Sequence, residues 1–215
     1  MSPLAILGGT FDPVHIGHLR VAWEAAEALD ADVRLMPANV PPHRPAPAAG
    51  AEHRVRMLRA ALAGQARLTL DTRELERGGA SYTFDTLREL RTELGGERPV
   101  ILLVGADAFA AFSSWHRWQE IFALAHIAVL TRPGHHPRLP AELAAAVAAR
   151  QASGAAELRR APANRVLNLP VTPLEISASA VRALLAAGRE PRWLLPEALL
   201  AEPALLDVYR RGTRG

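Results

Sequence analysis

The sequence predicts an α/β protein: a doubly wound, mostly parallel sheet with helices on both faces. Short apolar runs alternate with amphipathic stretches of helical length. The run "VILLVGAD", 100 to 107, is apolar at successive positions until its end, as a strand covered on both faces requires. At 215 residues the chain can bury one such core, and no linker is long enough to force a second. The expected division is a main domain over 1–190 and a helical extension of the same domain over 191–215.

Each element has a local reason. "PLAILGG", 3 to 9, reads as a buried strand closed by glycines, and 15 to 29 as an amphipathic helix. "DVRLMPA", 32 to 38, is a second strand, followed by the proline-rich loop "NVPPHRPAPAAG". A helix over 52 to 63, a strand over 67 to 72 and a helix over 83 to 94 precede the 100–107 strand. Beyond it come a helix near 115 to 125, a strand over 126 to 133, an alanine-rich helix over 140 to 152 and a strand over 165 to 171. Helices over 178 to 187 and 196 to 210 close the chain. In such sheets ligands bind beyond the carboxyl ends of the strands, where strand order reverses. Gly8–Gly9, Asn39 to Arg44, Gly105 to Asp107 and Thr172 to Ser179 all follow strand ends, which points to one composite site.

Composition narrows the chemistry. With no Cys there is no disulfide framework, no thiolate nucleophile and no Cys-based zinc site. All 25 Lys and Arg positions are Arg, whose high pKa inflates the pI of 10.4, and they are interspersed with acidic residues. A Lys-free chain cannot carry the phosphate loop G-x-x-x-x-G-K-[ST]. No basic stripe with interleaved aromatics is present, so no nucleic-acid partner is expected. No run approaches the roughly 18 apolar residues of a membrane span. Without the basic start of a secretory signal, the expectation is a cytoplasmic protein with no membrane partner.

"GGTFDPVHIGHL", 8 to 19, carries the sharpest signal. Gly8 and Gly9 at a strand end let the backbone turn and approach a ligand closely. A helix starting near His15 turns its free N–H groups and positive dipole end toward that ligand, which suits an anion. His15 and His18 share one helix face, and Gly17 between them leaves room for a bulky group. A glycine pair alone is usually only a turn, and two histidines alone can be a surface pair. Together they describe a phosphate cradle.

The stretch "GTFDPVHIGH" resembles the nucleotidylyltransferase superfamily, whose signature joins a glycine turn to an H-x-G-H helix start. Further stretches, in family order, narrow the resemblance to bacterial nicotinate-nucleotide adenylyltransferases: "PANVPPHR", "SYTFDTL", "LLVGADAF", "WHRWQEI", "TRPG" and "ISASAVR". The resemblance implies a Rossmann-like fold and adenylyl transfer from ATP to nicotinate mononucleotide, with Mg²⁺ entering on ATP. It implies that His15 and His18 contact the ATP phosphates, with His18 the first choice for stabilising the transition state and the phosphates favouring protonated rings. Gly8, Gly9, Thr10, Ile176, Ser177 and Ser179 join them around ATP, and Arg182 offers a forked guanidinium to the outer phosphates. Ser177 and Ser179 are also placed to cap a helix start. Ala178 replaces a family Ser, which removes one hydroxyl.

Gly105 and Asp107 resemble the segment that holds the adenosine ribose. Phe11, Thr83, Trp115 and His116 are implied on the mononucleotide side, with Trp115 stacking on the pyridine ring. The backbone N–H groups of Thr83 and His116 would take the nicotinate carboxylate; Trp118 is expected in the core. Asn39 and His43–Arg44 resemble the family's P-P-H-K segment, with Arg44 keeping charge but changing donor geometry. Arg44 and Arg132 read equally as substrate contacts or as structural cations. Pantetheine-phosphate adenylyltransferases share the first motif, and a noncatalytic dinucleotide sensor on the same fold is the alternative from another class. Nothing in the sequence indicates an oligomeric state.

Overall fold

The computed structural model describes residues 2–40, 46–132 and 138–210. The elements in chain order are β1 (Leu4–Gly9), α1 (Ile16–Leu29), β2 (Asp32–Pro37), α2 (Ala51–Leu62), β3 (Leu68–Leu70), α3 (Arg73–Arg77), α4 (Thr83–Leu94), β4 (Val100–Gly105), α5 (Ala106–Ala110), α6 (Trp118–Leu124), β5 (His126–Thr131), α7 (Ala141–Ala148), α8 (Ala155–Leu158), β6 (Val166–Pro170), α9 (Ala178–Ala186), α10 (Glu197–Leu200) and α11 (Asp207–Arg210). Two 3₁₀ turns, Phe112–Ser114 and Pro203–Leu205, complete the set.

The strands form one sheet of order β3-β2-β1-β4-β5-β6, and every pairing is parallel. This is the doubly wound order, and it reverses between β1 and β4. The predicted sheet is mostly parallel; among the described strands it is wholly so. Because every strand runs the same way, all carboxyl ends lie along one edge of the sheet. Gly9 and Gly105 therefore emerge on neighbouring strands at the reversal.

Side-chain alternation divides the core in two. Ala5, Leu7, Val33, Leu35, Ile101 and Leu103 face α1, α2, α9 and the C-terminal turns. Leu4, Ile6, Met36, Leu102 and Val104 face α4, α6 and α7 through Phe84, Leu87, Phe122 and Leu143. The apolar run of β4 is explained by this double cover, since its residues from Val100 to Val104 are all buried.

The end of the chain departs from the single helix expected there. Residues 196–210 are not one helix but α10, a 3₁₀ turn and α11. Pro203 has no N–H to donate and cannot continue the preceding helix, so the chain turns there. The helix expected near 115 starts only at Trp118, because Arg117 adopts a left-handed conformation (φ 55°). The short helices α3, α5 and α8 were not predicted, since four or five residues carry too little periodicity.

Candidate active site

A cleft of about 480 Å³ opens at the strand-order reversal. Gly8, Gly9, Thr10 and His18 line one wall; Ser81, Tyr82, Thr83, Ser114, Trp115 and His116 line the other. Leu102 and Leu103 of β4 lie between them. Gly9 is required by packing: a Cβ there would stand 3.0 Å from the Phe11 ring, which is buried beneath it.

The two histidines are not equivalent. His15 is 5% exposed and its ring stacks on that of His18, 3.7 Å between centroids. Its Nδ1 is buried without a hydrogen-bond partner. Burial pulls its pKa down from 6.5 to about 4, so at neutral pH the ring is uncharged. Desolvation thus opposes the protonated state expected of a phosphate-bound His15. His18 is half-buried and accepts at Nδ1 from the backbone N–H of His15, 3.3 Å away. A neutral ring that accepts at Nδ1 carries its proton on Nε2, so the backbone selects the tautomer. The Phe11 ring also packs against His18 in a T-shaped contact, 4.9 Å between centroids.

The start of α1 departs from the expectation of a bare anion cradle. The Ile16 N–H donates to the Leu194 carbonyl at 2.9 Å, and the His18 N–H turns back to the His15 carbonyl at 3.0 Å. Two of the first helical donors are thus committed within the protein. Nor does Gly17 leave space for a ligand: a Cβ there would meet the His15 ring at 3.1 Å and Ile176 at 3.6 Å. Its lack of a side chain lets His15 and Ile176 close over the helix start.

Arg182, on α9, reaches back to the loop after β1. Its Nη1 donates to the Asp12 carbonyl at 2.6 Å and stands 3.6 Å from the Asp12 carboxylate, while Nη2 meets Ser179 Oγ at 3.4 Å. Ser177 caps α9 as the sequence suggests, its Oγ accepting from the Ala180 N–H at 3.1 Å. Ser179 lies inside the helix and does not cap it.

On the opposite wall Trp115 is half-buried and packs on Phe112, 5.0 Å between centroids. Trp118 meets Phe112 and Phe122 edge-on, the core position expected of it. His116 is exposed and tilts against the Tyr82 ring at 4.7 Å. Arg117 lies 3.7 Å over Phe84, which pins the turn to α4. Thr83 is the first residue of α4, so its N–H stands outside the helical ladder.

The structure therefore brings together Gly8, Gly9, Thr10, His18, Thr83, Trp115 and His116 around one cavity. Gly105 and Asp107, both exposed, follow β4 at its edge. Phe11 is buried and meets the site from beneath, against Gly9 and the His18 ring. Asn39 is engaged with the next loop, its Nδ2 donating to the Gly79 carbonyl at 3.1 Å and its N–H to Ser81 Oγ at 2.9 Å. Arg132 is exposed at the end of β5. His43 and Arg44 lie outside the described residues.

Sequence reading missed the buried polar groups behind the cleft. Glu74 lines it at 8% exposure, its carboxyl pushed up by burial and accepting from Thr86 Oγ1 at 2.7 Å. Arg54, 1% exposed, donates to the carbonyls of Thr10 and Ala38, both at 2.8 Å. Asp12 accepts from the N–H groups of Ala48 and Ala49 and from the Tyr209 hydroxyl. In the sequence such residues look like ordinary surface charges.

Comparison with known proteins identifies the family and the fold. A family model described as cytidylyltransferase-like matches residues 6–184. A protein of Marinobacter nauticus named "Probable nicotinate-nucleotide adenylyltransferase" is 50% identical over 89% of both chains. One of the same name from Aeromonas hydrophila is 48% identical over 97% of both. Among solved structures, the nicotinic acid mononucleotide adenylyltransferase of Plasmodium falciparum, complexed with NaAD, superposes with a TM-score of 0.67 at 15% identity. That match covers 97% of this chain and 94% of the other, and at this identity it speaks for the fold.

Proposed function

The chain belongs to the nicotinate-nucleotide adenylyltransferase family, and on that premise we infer that it transfers the adenylyl group of ATP to nicotinate mononucleotide. The products are deamido-NAD and pyrophosphate, and the step belongs to NAD biosynthesis. The observation that carries this reading to the residues is the cleft itself, with His18 and the glycine turn on one wall and Thr83, Trp115 and His116 on the other.

An oxygen of the mononucleotide 5′-phosphate attacks the α-phosphorus of ATP, and the bond to the bridging oxygen of pyrophosphate breaks. A phosphate monoester with a second pKa near 6 is already mostly a dianion at neutral pH, so no general base is needed. The enzyme has to align two anions and offset the charge that develops on the phosphoryl oxygens. His18, with its proton on Nε2, and Arg182 supply that offset. His15 supports His18 by stacking on it. Gly8, Gly9, Thr10, Ile176, Ser177 and Ser179 surround the triphosphate and adenosine, and Gly105 with Asp107 receives the ribose.

Trp115 stacks on the pyridine ring, and the N–H groups of Thr83 and His116 receive the nicotinate carboxylate. Nicotinamide lacks that negative group, and amide donors left unpaired by the wrong substrate cost about 1–3 kcal/mol each. Phe11 acts through His18. Asn39, His43, Arg44 and Arg132 complete the mononucleotide side. Mg²⁺ would enter on ATP, held by its phosphates and by water, and would neutralise phosphate charge there. We also assign the reaction to the cytoplasm; among the described residues no helix is long and apolar enough to cross a membrane.

The test is pyrophosphate release from ATP and Mg²⁺ with nicotinate mononucleotide, nicotinamide mononucleotide or phosphopantetheine supplied separately. A strong preference for the first is expected. Preference for phosphopantetheine, or ATP binding without release in any mixture, would overturn the reading.

A further inference from the structure

Residues 191–210 carry no family motif, yet they meet the phosphate wall of the cleft repeatedly. The Leu194 carbonyl takes the first N–H of α1. The Leu205 carbonyl lies 2.6 Å from His53 Nε2, on the helix whose next residue, Arg54, holds the Thr10 carbonyl. Deepest is Tyr209, 5% exposed, whose hydroxyl donates to Asp12 Oδ1 at 2.7 Å.

Asp12 is the junction. It is 4% exposed, and its carboxylate accepts from Ala49 N–H at 3.0 Å on the same Oδ1 and from Ala48 N–H at 2.7 Å on Oδ2. Its main-chain carbonyl receives Arg182. The residue thus joins the loop between Gly9 and His15, the segment before α2, the guanidinium of α9 and the C-terminal helix α11. A charge-assisted hydrogen bond in a dry environment is short and directional, so it fixes position more firmly than apolar contact does.

We propose that Tyr209 is a positioning residue for adenylyl transfer: through Asp12 it sets where Arg182 and the His15–His18 pair stand relative to the phosphates. The proposal rests on the reaction assigned above. It gives residues 191–210 a role in the site, as the strut behind its phosphate wall. Tyr209 touches no substrate itself; it acts through Asp12.

Tyr209→Phe keeps the ring and removes only the hydroxyl. Its turnover is expected to fall about ten- to a hundredfold, the scale of a small misplacement of reacting groups. The KM for nicotinate mononucleotide should stay unchanged while that for ATP rises. Combined with Arg182→Lys, the double variant should be little worse than Arg182→Lys alone, because both act through one arrangement. Unchanged kinetics in Y209F, or losses that multiply in the double variant, would overturn the proposal. A wild-type protein that releases no pyrophosphate would instead overturn the reaction. A measurement on the wild type is independent of how the variant folds: amides of 11–18 and of 205–210 should open with the same free energy in native-state hydrogen exchange. A C-terminal segment that opens far more readily, with the loop still closed, would overturn the proposal.

Discussion

His15 and His18 stand in contact, yet only one of them lines the cleft. On the proposed mechanism His18→Ala removes a donor to the developing phosphoryl charge and only a half-buried ring, so turnover should fall about a hundredfold or more with little change in unfolding temperature. A near-normal rate would remove His18 from the chemistry. His15 reports on stability instead. Its folded pKa of about 4 lies below the ordinary 6.5, so between those values the unfolded chain binds the additional proton. Its contribution is full above pH 6.5 and is lost as pH falls toward 4, by about 3 kcal/mol in all. Urea titrations from pH 7.5 to 4 should show the wild type losing more stability than His15→Asn; parallel curves would refute this. His18, Thr83, Trp115 and His116 are picked out in the sequence by their motifs, and the fold brings all four to one cleft. Asp12, Arg54, Glu74 and Tyr209 were not legible, because a buried charge differs from a surface one only in its partners, and those are distant in sequence.

Elements carry these residues with different precision. The limits of α4 were readable from "SYTFDTL" and the following glycine, and α1 and α9 from their apolar faces. The turn before α6 was not, since nothing in "WHRW" announces that Arg117 takes a positive φ and stops a helix from forming through Trp115. That break exposes one side of Trp115 to the cleft while Phe112 holds the other. A Trp115→Ala substitution should therefore raise the KM for nicotinate mononucleotide about tenfold, on the scale of one lost stacking contact, with a smaller effect on that for ATP. Equal effects on both constants, together with a lower unfolding temperature, would make Trp115 a packing residue. The C-terminal segment departs from its sequence pattern for a related reason. Apolar periodicity from 196 to 210 continues across Pro203, and periodicity alone does not register that a proline ends a helix.

At the scale of the whole molecule, the reversal of strand order separates the two walls in chain and in packing. The phosphate wall grows from β1 and is backed by α1, α9 and α11, all on one face of the sheet. The wall proposed to take the pyridine comes from the start of α4 and the turn at Ser114–His116, and it rests on the opposite core. On the function proposed above, a dinucleotide has to bridge the two walls. Hydrogen exchange should therefore distinguish the ligands by region. ATP is expected to slow exchange in residues 9–18 and in α9, and nicotinate mononucleotide in 112–118 and at the start of α4. Deamido-NAD should protect both sets at once, and at about a hundred times its Kd it should raise stability by about 2.7 kcal/mol. For a chain of this length that corresponds to an unfolding temperature about 5–10 °C higher. Protection by the dinucleotide confined to one wall would mean that the reaction does not take place across the strand-order reversal.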